Sequence, residues 1–248
     1  MGASEGSRKP HDELPDSKVL DEVGDVLIKD EDGKELPLKS LYMDKPGDER
    51  QLLIFVRHFH WAPDFKAYHG HIMTYSSLYQ HVANTLCMLT GPSYRTISEL
   101  TWAQQSCQQY VEALMKDLTP EKLSKAKISL TIIGSGEAIC IPDYAKATGS
   151  AFPIYTDPSV QTYKKLGMIS SLRPGTTTPS YLKKSTLDNF VSSTWALATS
   201  GHILSGGPKA QNGGEWLFQG GELKWFHRMR NSSDHTETEE LKKVLGLT

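Results

Sequence analysis

Cysteine is scarce in this sequence, and that scarcity limits both its chemistry and its compartment. The 248 residues include three cysteines, Cys87, Cys107 and Cys140, which make no disulfide framework of the kind found in small secreted domains. The polar N-terminal stretch MGASEGSRKPHDELPD lacks the apolar centre of a secretory signal peptide. We therefore expect a reducing, cytoplasmic location.

Long apolar runs and an excess of basic charge are also missing. No run approaches the ~20 residues that a membrane-spanning helix needs. The formal net charge is -2, so bulk charge gives no basis for nucleic-acid binding. We expect no nucleic acid and no membrane span, and the 38% of hydrophobic residues is enough to fill a core.

Strand-like and helix-like patterns alternate along the chain after a polar leader. Residues 1–20 are expected to be a disordered leader, and residues 25–38 a hairpin with Asp32-Gly33 at its turn. Three apolar runs of strand length follow, QLLIFVRHF, KISLTIIGSG and FPIYTDP, with helical spacings between them. This alternation predicts an α/β sheet with parallel pairs.

The C-terminal part has a different pattern. EWLFQGGELKWF places two strand-like runs around Gly220-Gly221, which is a strong hairpin signal. Thr236 and Glu239 form a predicted capping box, and Gly246 is placed to end the last helix. Residues 180–205 are expected to add a helix and a loop. Strand-helix-strand, then hairpin, then helix is the order of a thioredoxin fold.

Cys107 allows two interpretations. Ser106 and Gln109 fit a capping box, which would make Cys107 the first residue of a helix. The helix dipole and free N–H groups would then favour a reactive thiolate. Alternatively, Thr96 and Glu99 begin a longer helix and Cys107 lies within its apolar side as an inert, packed residue. The local sequence leaves both open.

Several motifs together resemble a known family. RHF closes a buried strand and CQQYVEAL opens a helix; TIIGSG, PDYAKATG, FPIYTDP and YKKLGM follow, and then GGEWLFQGGELKWFHRMRNSSDH. In this order they resemble the peroxiredoxin-like branch of the AhpC/TSA antioxidant family. The resemblance covers residues 25–61 and 106–248. It implies a thioredoxin-like domain over residues 21–248, with a central mixed sheet and a C-terminal hairpin and helix.

The chain departs from the family pattern at the active-site turn. This branch carries a C-x-x-C shortly after RHF, whereas here Gln104 stands three residues before Cys107 and His60-Trp61 follow the strand. Residues 62–105 match nothing in the family. They are either a true insertion or translated non-coding sequence kept in a gene model, and sequencing of the transcript would distinguish the two.

The resemblance implies thiol chemistry at Cys107 with no bound organic cofactor. A thiolate at Cys107 would reduce a small-molecule peroxide or a disulfide, and an external thiol reductant would regenerate it. Arg57, at the end of the adjacent strand, is a candidate to lower the pKa of that thiol, and a structural salt bridge is its alternative role. The rival functional hypothesis is a catalytically degenerate accessory or interaction protein, for example beside a small-molecule biosynthetic pathway.

Histidines near Arg57 suggest a competing metal site. His58 and His60 would share one face of a strand, and the residues that crowd the same region are His69, His71 and His81. No carboxylate or cysteine stands at a recognised metal spacing, so we expect no metal.

Overall fold

A computed structural model describes residues 13–59, 107–173, 175–182 and 206–247. Within these ranges a seven-stranded sheet has the order β2-β1-β5-β4-β3-β6-β7. The strands are β1 Leu27–Lys29, β2 Glu35–Pro37, β3 Arg50–Phe55, β4 Ile128–Gly134, β5 Ile154–Thr156, β6 Gly214–Gln219 and β7 Glu222–Arg228. The helices are α1 Ser17–Gly24, α2 over residues 107–117, α3 Pro120–Lys125, α4 Ile141–Thr148, α5 Gln161–Lys165 and α6 Thr238–Val244.

The central strands have the pairing of a thioredoxin fold. Strand β3 pairs with β4 in parallel, and α2 and α3 lie between them along the chain. On its other edge β3 pairs antiparallel with β6, which forms a hairpin with β7, and α6 ends the chain. The sheet order β4-β3-β6-β7 with this connectivity is the thioredoxin core, so the predicted fold class is confirmed.

Strand β3 is buried on both faces, as its apolar run predicts. Because side chains alternate along a strand, Leu52 and Ile54 join one hydrophobic cluster and Leu53 and Phe55 the other. The first cluster is covered by α2, α4 and α6, and the second by α1 and α5. The candidate site lies on the first face.

The predicted turns are confirmed where glycine provides a left-handed backbone. Gly33 has φ 78° in the β1–β2 hairpin, and Gly220 and Gly221 have φ 58° and 80° between β6 and β7. Gly246, at φ 61°, lies two residues after Val244, the last residue of α6. Glycine adopts these angles without the steric cost that a Cβ atom imposes.

The predicted capping box at Thr236 is wrong. Helix α6 begins two residues later, with Glu237 at its N-cap and no side-chain cap hydrogen bond. The Thr236 hydroxyl instead donates to Glu215 at 3.0 Å. A buried carboxylate competes with the helix end for this hydroxyl, a contact that local sequence does not reveal.

Several expectations concern residues outside the described ranges. These are the insertion expected at 62–105, the residue at which the helix that carries Cys107 begins, and most of the helix and loop expected within 180–205. Helix α1 begins at Ser17, inside the span expected for a disordered leader, with the Asp16 side chain accepting from the Val19 N–H at 2.8 Å. Among the described residues, no helix has the length and apolar character needed to cross a membrane.

Candidate functional site

Cys107 lies at the first described residue of α2, packed against the sheet. Its exposed fraction is 1%, and it belongs to the cluster on the first face with Phe59, Tyr110 and Tyr144. Burial of this kind is what the packed-residue interpretation predicts. The polar groups that reach the sulfur decide whether the thiol is also reactive.

A histidine and a carboxylate extend from the Cys107 sulfur in a hydrogen-bonded chain. The Sγ atom lies 3.5 Å from Nε2 of His235. Nδ1 of the same ring lies 2.6 Å from Oε1 of Glu215. A carboxylate can only accept, so Nδ1 donates to Glu215 and Nε2 faces the sulfur. Nucleophile, imidazole and orienting carboxylate are the three parts of an activated-nucleophile site.

Strand register positions the carboxylate. Glu215 lies opposite His227 in the β6–β7 hairpin, and its Oε2 accepts from Nδ1 of that histidine at 2.8 Å. Within β6 it shares a sheet face with Leu217, the face on which Cys107 packs. Its side chain is fully buried, and a buried carboxylate needs such partners because an unpaired charge is costly to desolvate.

Aromatic side chains fix the imidazole ring of His235. The Tyr110 ring, one helical turn after Cys107, stacks on it with centroids 4.2 Å apart and planes 8° apart. The backbone N–H of His235 donates to the Tyr181 hydroxyl at 3.3 Å. With Glu215 on Nδ1, these contacts hold the ring plane and direct Nε2 toward the sulfur.

The electrostatics of these hydrogen-bonded side chains favour an ion pair between the Cys107 sulfur and the His235 imidazole. Burial raises the pKa of Cys107, but the hydrogen bond and charge of His235, with the charge of Arg57, outweigh it and hold that pKa below its ordinary value. Burial lowers the pKa of His235, but Glu215 and Cys107 raise it to about 9. Burial also opposes ionisation of Glu215, yet the two histidines lower its pKa to about 2. Both shifts favour a thiolate facing an imidazolium over a neutral thiol facing a neutral ring.

Arg57 adds a fixed positive charge near the same sulfur. It follows β3 by two residues, is 0% exposed, and lowers the pKa of Cys107. Its guanidinium donates to the carbonyl oxygens of Gln211, Ser232 and Lys209 at 3.2, 3.2 and 2.7 Å. Among the described residues, no carboxylate pairs with it, so the salt-bridge role is not found in this part of the chain.

The other cysteines and histidines contribute less to the site. Burial, Asp143 and Glu137 raise the pKa of Cys140, which is the pattern of an inert thiol. Cys87 and four of the five clustered histidines, all but His58, lie outside the described residues. Within the described ranges, no three metal-ligating side chains come together in a group suited to a metal ion.

Sequence reasoning identified Cys107 and Arg57 but missed His235 and Glu215. The structure brings all four to one site, across segments far apart in the chain. One signal was available, because the charged Glu215 opens the otherwise apolar run EWLF of a predicted strand, and glutamate is rarely buried unless it is paired. His235 carried no comparable signal.

Comparisons with known proteins show which family the chain is similar to. The AhpC/TSA antioxidant enzyme family matches residues 113–231. The chain is also similar to human Peroxiredoxin-like 2C, 25% identical over 227 residues that cover 91% of this chain and 79% of that protein. The chain is similar to peroxiredoxin-like members of the AhpC/TSA family. The resemblance noted from sequence motifs is therefore confirmed.

Other known proteins are similar to this chain over different shares of its length. Mouse Peroxiredoxin-like 2C is 30% identical over 143 residues, which cover 57% of this chain and 63% of that protein. Among solved structures, the Xanthomonas campestris bacterioferritin comigratory protein has a TM-score of 0.43 and 11% identity, covering 95% of this chain and 94% of that one. Peroxidoxin BcpB from Mycobacterium tuberculosis has a TM-score of 0.44 and 12% identity, covering 90% of this chain and 91% of that one.

Similarity to this family supports a thiol oxidoreductase type of function. The family match begins at residue 113, so Arg57, Cys107 and His235 all lie outside it. The argument for a reactive centre at Cys107 therefore depends on the geometry of this chain.

Proposed function

We propose that this protein is a thiol peroxidase that uses Cys107 as its nucleophile and holds no bound organic cofactor. The observation that carries the proposal is the 3.5 Å contact between the Cys107 sulfur and Nε2 of His235. A thiolate is the form that attacks a peroxide, and the imidazole stabilises it although the site is buried. Reduction of a small-molecule disulfide by the same thiolate is the related activity to be tested beside it.

The first step balances with a peroxide alone. The thiolate sulfur forms a bond to the terminal peroxide oxygen, the O–O bond breaks, and its electron pair leaves on the other oxygen. That oxygen takes a proton to become an alcohol or water, while the sulfur is oxidised to a sulfenic acid. The Arg57 charge, held by three carbonyl oxygens, favours the negative charge that develops.

Regeneration is proposed to use an external thiol. Two thiols reduce the sulfenic acid, releasing water and a disulfide of the reductant and restoring Cys107. The raised pKa of Cys140 argues against that residue as an internal nucleophile. A reducing compartment such as the cytoplasm supplies such thiols and suits this single-cysteine cycle.

The test is the peroxide-dependent modification of Cys107 in the full chain. Hydrogen peroxide and tert-butyl hydroperoxide are added, and sulfenic acid is trapped with dimedone and located by mass spectrometry. The label is expected on Cys107, with peroxide consumption supported by a small thiol and lost in Cys107→Ser. Cys140→Ser is the matched control and is expected to keep full activity. Consumption that persists in Cys107→Ser would reject the assignment.

The second candidate function is a catalytically degenerate accessory or interaction protein. The observation that favours it is the 1% exposure of Cys107, since a nucleophile must meet its substrate. In that case neither peroxide, nor a small disulfide such as oxidised glutathione, would label or oxidise Cys107. The same mass-spectrometric experiment therefore separates the two candidates.

A further inference from the structure

The contacts from Cys107 to His235 and from His235 to Glu215 do more than stabilise a thiolate. Attack on a peroxide also produces a basic oxygen, which leaves far more easily if it is protonated as the O–O bond breaks. If the protein is a peroxidase as proposed above, a group in the site must supply that proton. Four side chains near Cys107 are candidates because they carry exchangeable protons: Arg57, His235, Tyr110 and Tyr144. Tyr163 and Tyr181 also interact with Cys107, but their hydroxyls donate to backbone carbonyl oxygens.

We propose that His235 is the general acid of peroxide reduction and that Glu215 is its positioning residue. Nδ1 of His235 is occupied by Glu215 at 2.6 Å, which leaves Nε2 as the proton-bearing atom beside the sulfur at 3.5 Å. A peroxide oxygen that bonds to the sulfur brings the leaving oxygen to this same edge of the ring. The stacked Tyr110 ring keeps that edge in place.

The other proton carriers are poorly suited to the step. Arg57 directs its guanidinium N–H groups at three carbonyl oxygens, and a guanidinium does not give up a proton in proteins. Burial raises the pKa of Tyr110 and Tyr144 well above the ordinary value, so their hydroxyls are weak acids. His235 lies 3.5 Å from the sulfur, and its pKa of about 9 suits it to donate a proton.

The charges that face His235 come from every element packed around it. The negative groups are Cys107 on α2 and Glu215 on β6. The positive groups are Arg57 after β3, which acts on Cys107, and His227 on β7, which shares the Glu215 carboxylate. The carboxylate lies between two histidines, so its single negative charge supports protonation of both.

The proposed step conserves protons and electrons. The sulfur donates an electron pair to the peroxide oxygen, the O–O bond breaks, and the leaving oxygen takes the Nε2 proton. His235 ends neutral, with Nδ1–H still bonded to Glu215, while the sulfur is oxidised by two electrons and the peroxide is reduced by two. Protonation of Nε2 by water then resets the ring.

Two oxidants with different leaving groups test the step. tert-Butyl hydroperoxide releases a strongly basic alkoxide, whereas peracetic acid releases acetate, which needs no proton. At neutral pH the wild-type His235 is protonated. There, the rate constant per thiolate with tert-butyl hydroperoxide is expected to fall ~10²-fold more in His235→Gln than that with peracetic acid. Alkylation by iodoacetamide releases iodide and corrects both rates for the thiolate fraction.

Glu215→Gln tests the positioning role through a pH profile. The rate with tert-butyl hydroperoxide should fall at high pH as His235 loses its proton, and removal of the Glu215 charge should move that fall to lower pH. A purely structural role would lower the rate without moving the profile. His58→Gln, which replaces a second buried histidine, is the matched control and is expected to leave the ratio of the two oxidant rates unchanged.

The outcomes separate this inference from the proposed function. Equal losses with both oxidants in His235→Gln would overturn the general-acid role and leave Cys107 as a peroxidase nucleophile. A wild-type Cys107 that reacts with neither oxidant, although iodoacetamide alkylates it, would overturn the peroxidase function itself. A selective loss with tert-butyl hydroperoxide supports both.

Discussion

Cys107 and His235 are separated by 128 positions in the sequence, yet Sγ of the first lies 3.5 Å from Nε2 of the second. One residue is on α2 and the other precedes the last helix. The contact explains how a thiol that is 1% exposed retains a lowered pKa. Without the imidazole, burial alone would favour the neutral thiol.

The first prediction concerns the acidity of the Cys107 thiol. The pH midpoint of its alkylation by iodoacetamide is expected to lie below the ordinary value of 9.0. His235→Gln removes the largest lowering influence and leaves burial, so the midpoint should rise above that value. Mass spectrometry of the alkylated peptide separates Cys107 from Cys140, whose midpoint should stay high in both proteins. An unchanged Cys107 midpoint in the variant would contradict the ion pair.

The second prediction concerns acid stability. The folded-state pKa of Glu215 is lowered from 4.5 to about 2, so the chain gains stability above pH 4.5 that is lost as the pH falls through about 2. Glu215→Gln should abolish this contribution and lower the free energy of unfolding at neutral pH by about 3 kcal/mol, since it breaks a buried charge pair. Urea unfolding between pH 2 and pH 7 measures both effects. The exposed Glu222→Gln is the control and should follow the wild-type curve closely.

The third prediction separates the two roles of Arg57. Arg57→Met leaves three buried carbonyl oxygens without their donor and should lower the free energy of unfolding by about 3 kcal/mol. It also removes a positive charge near Cys107 and should raise the midpoint of alkylation. Arg57→Lys keeps the charge but cannot span three acceptors, so it should destabilise the chain with a smaller rise in that midpoint. Equal midpoints in the two variants would limit Arg57 to a structural role.

The fourth prediction concerns the glycine that brings the β6 segment close to the end of β3. A Cβ atom at Gly213 would lie 1.7 Å from the carbonyl oxygen of Phe55, so Gly213→Ala must displace backbone. We expect a loss of about 2–4 kcal/mol in the free energy of unfolding, in the range of a severe packing defect. Gly47→Ala is the matched control, because nothing lies within 4 Å of its Cβ position. Its effect should stay within about 0.5 kcal/mol.

Local signals predicted much of the fold correctly. The apolar runs of β3 and β4 give strands buried on both faces, and Gly220-Gly221 form the turn of the β6–β7 hairpin. These features follow from hydrophobic periodicity and glycine conformation, which act over a few residues. The capping box at Thr236 failed because its hydroxyl binds a distant carboxylate. Rules based on local sequence do not include hydrogen-bond acceptors from distant parts of the chain.

By itself, the sequence determined the resemblance to a family and the order of the described strands and helices, and it made Cys107 the candidate nucleophile. Only the tertiary structure decided which polar groups lie beside that cysteine. Sheet pairing sets Glu215 beside His227, and the return of the chain after β7 carries His235 to Cys107. The physical reason is that a pKa depends on the charges and burial around a group in space, and those neighbours come from segments that chain order leaves far apart.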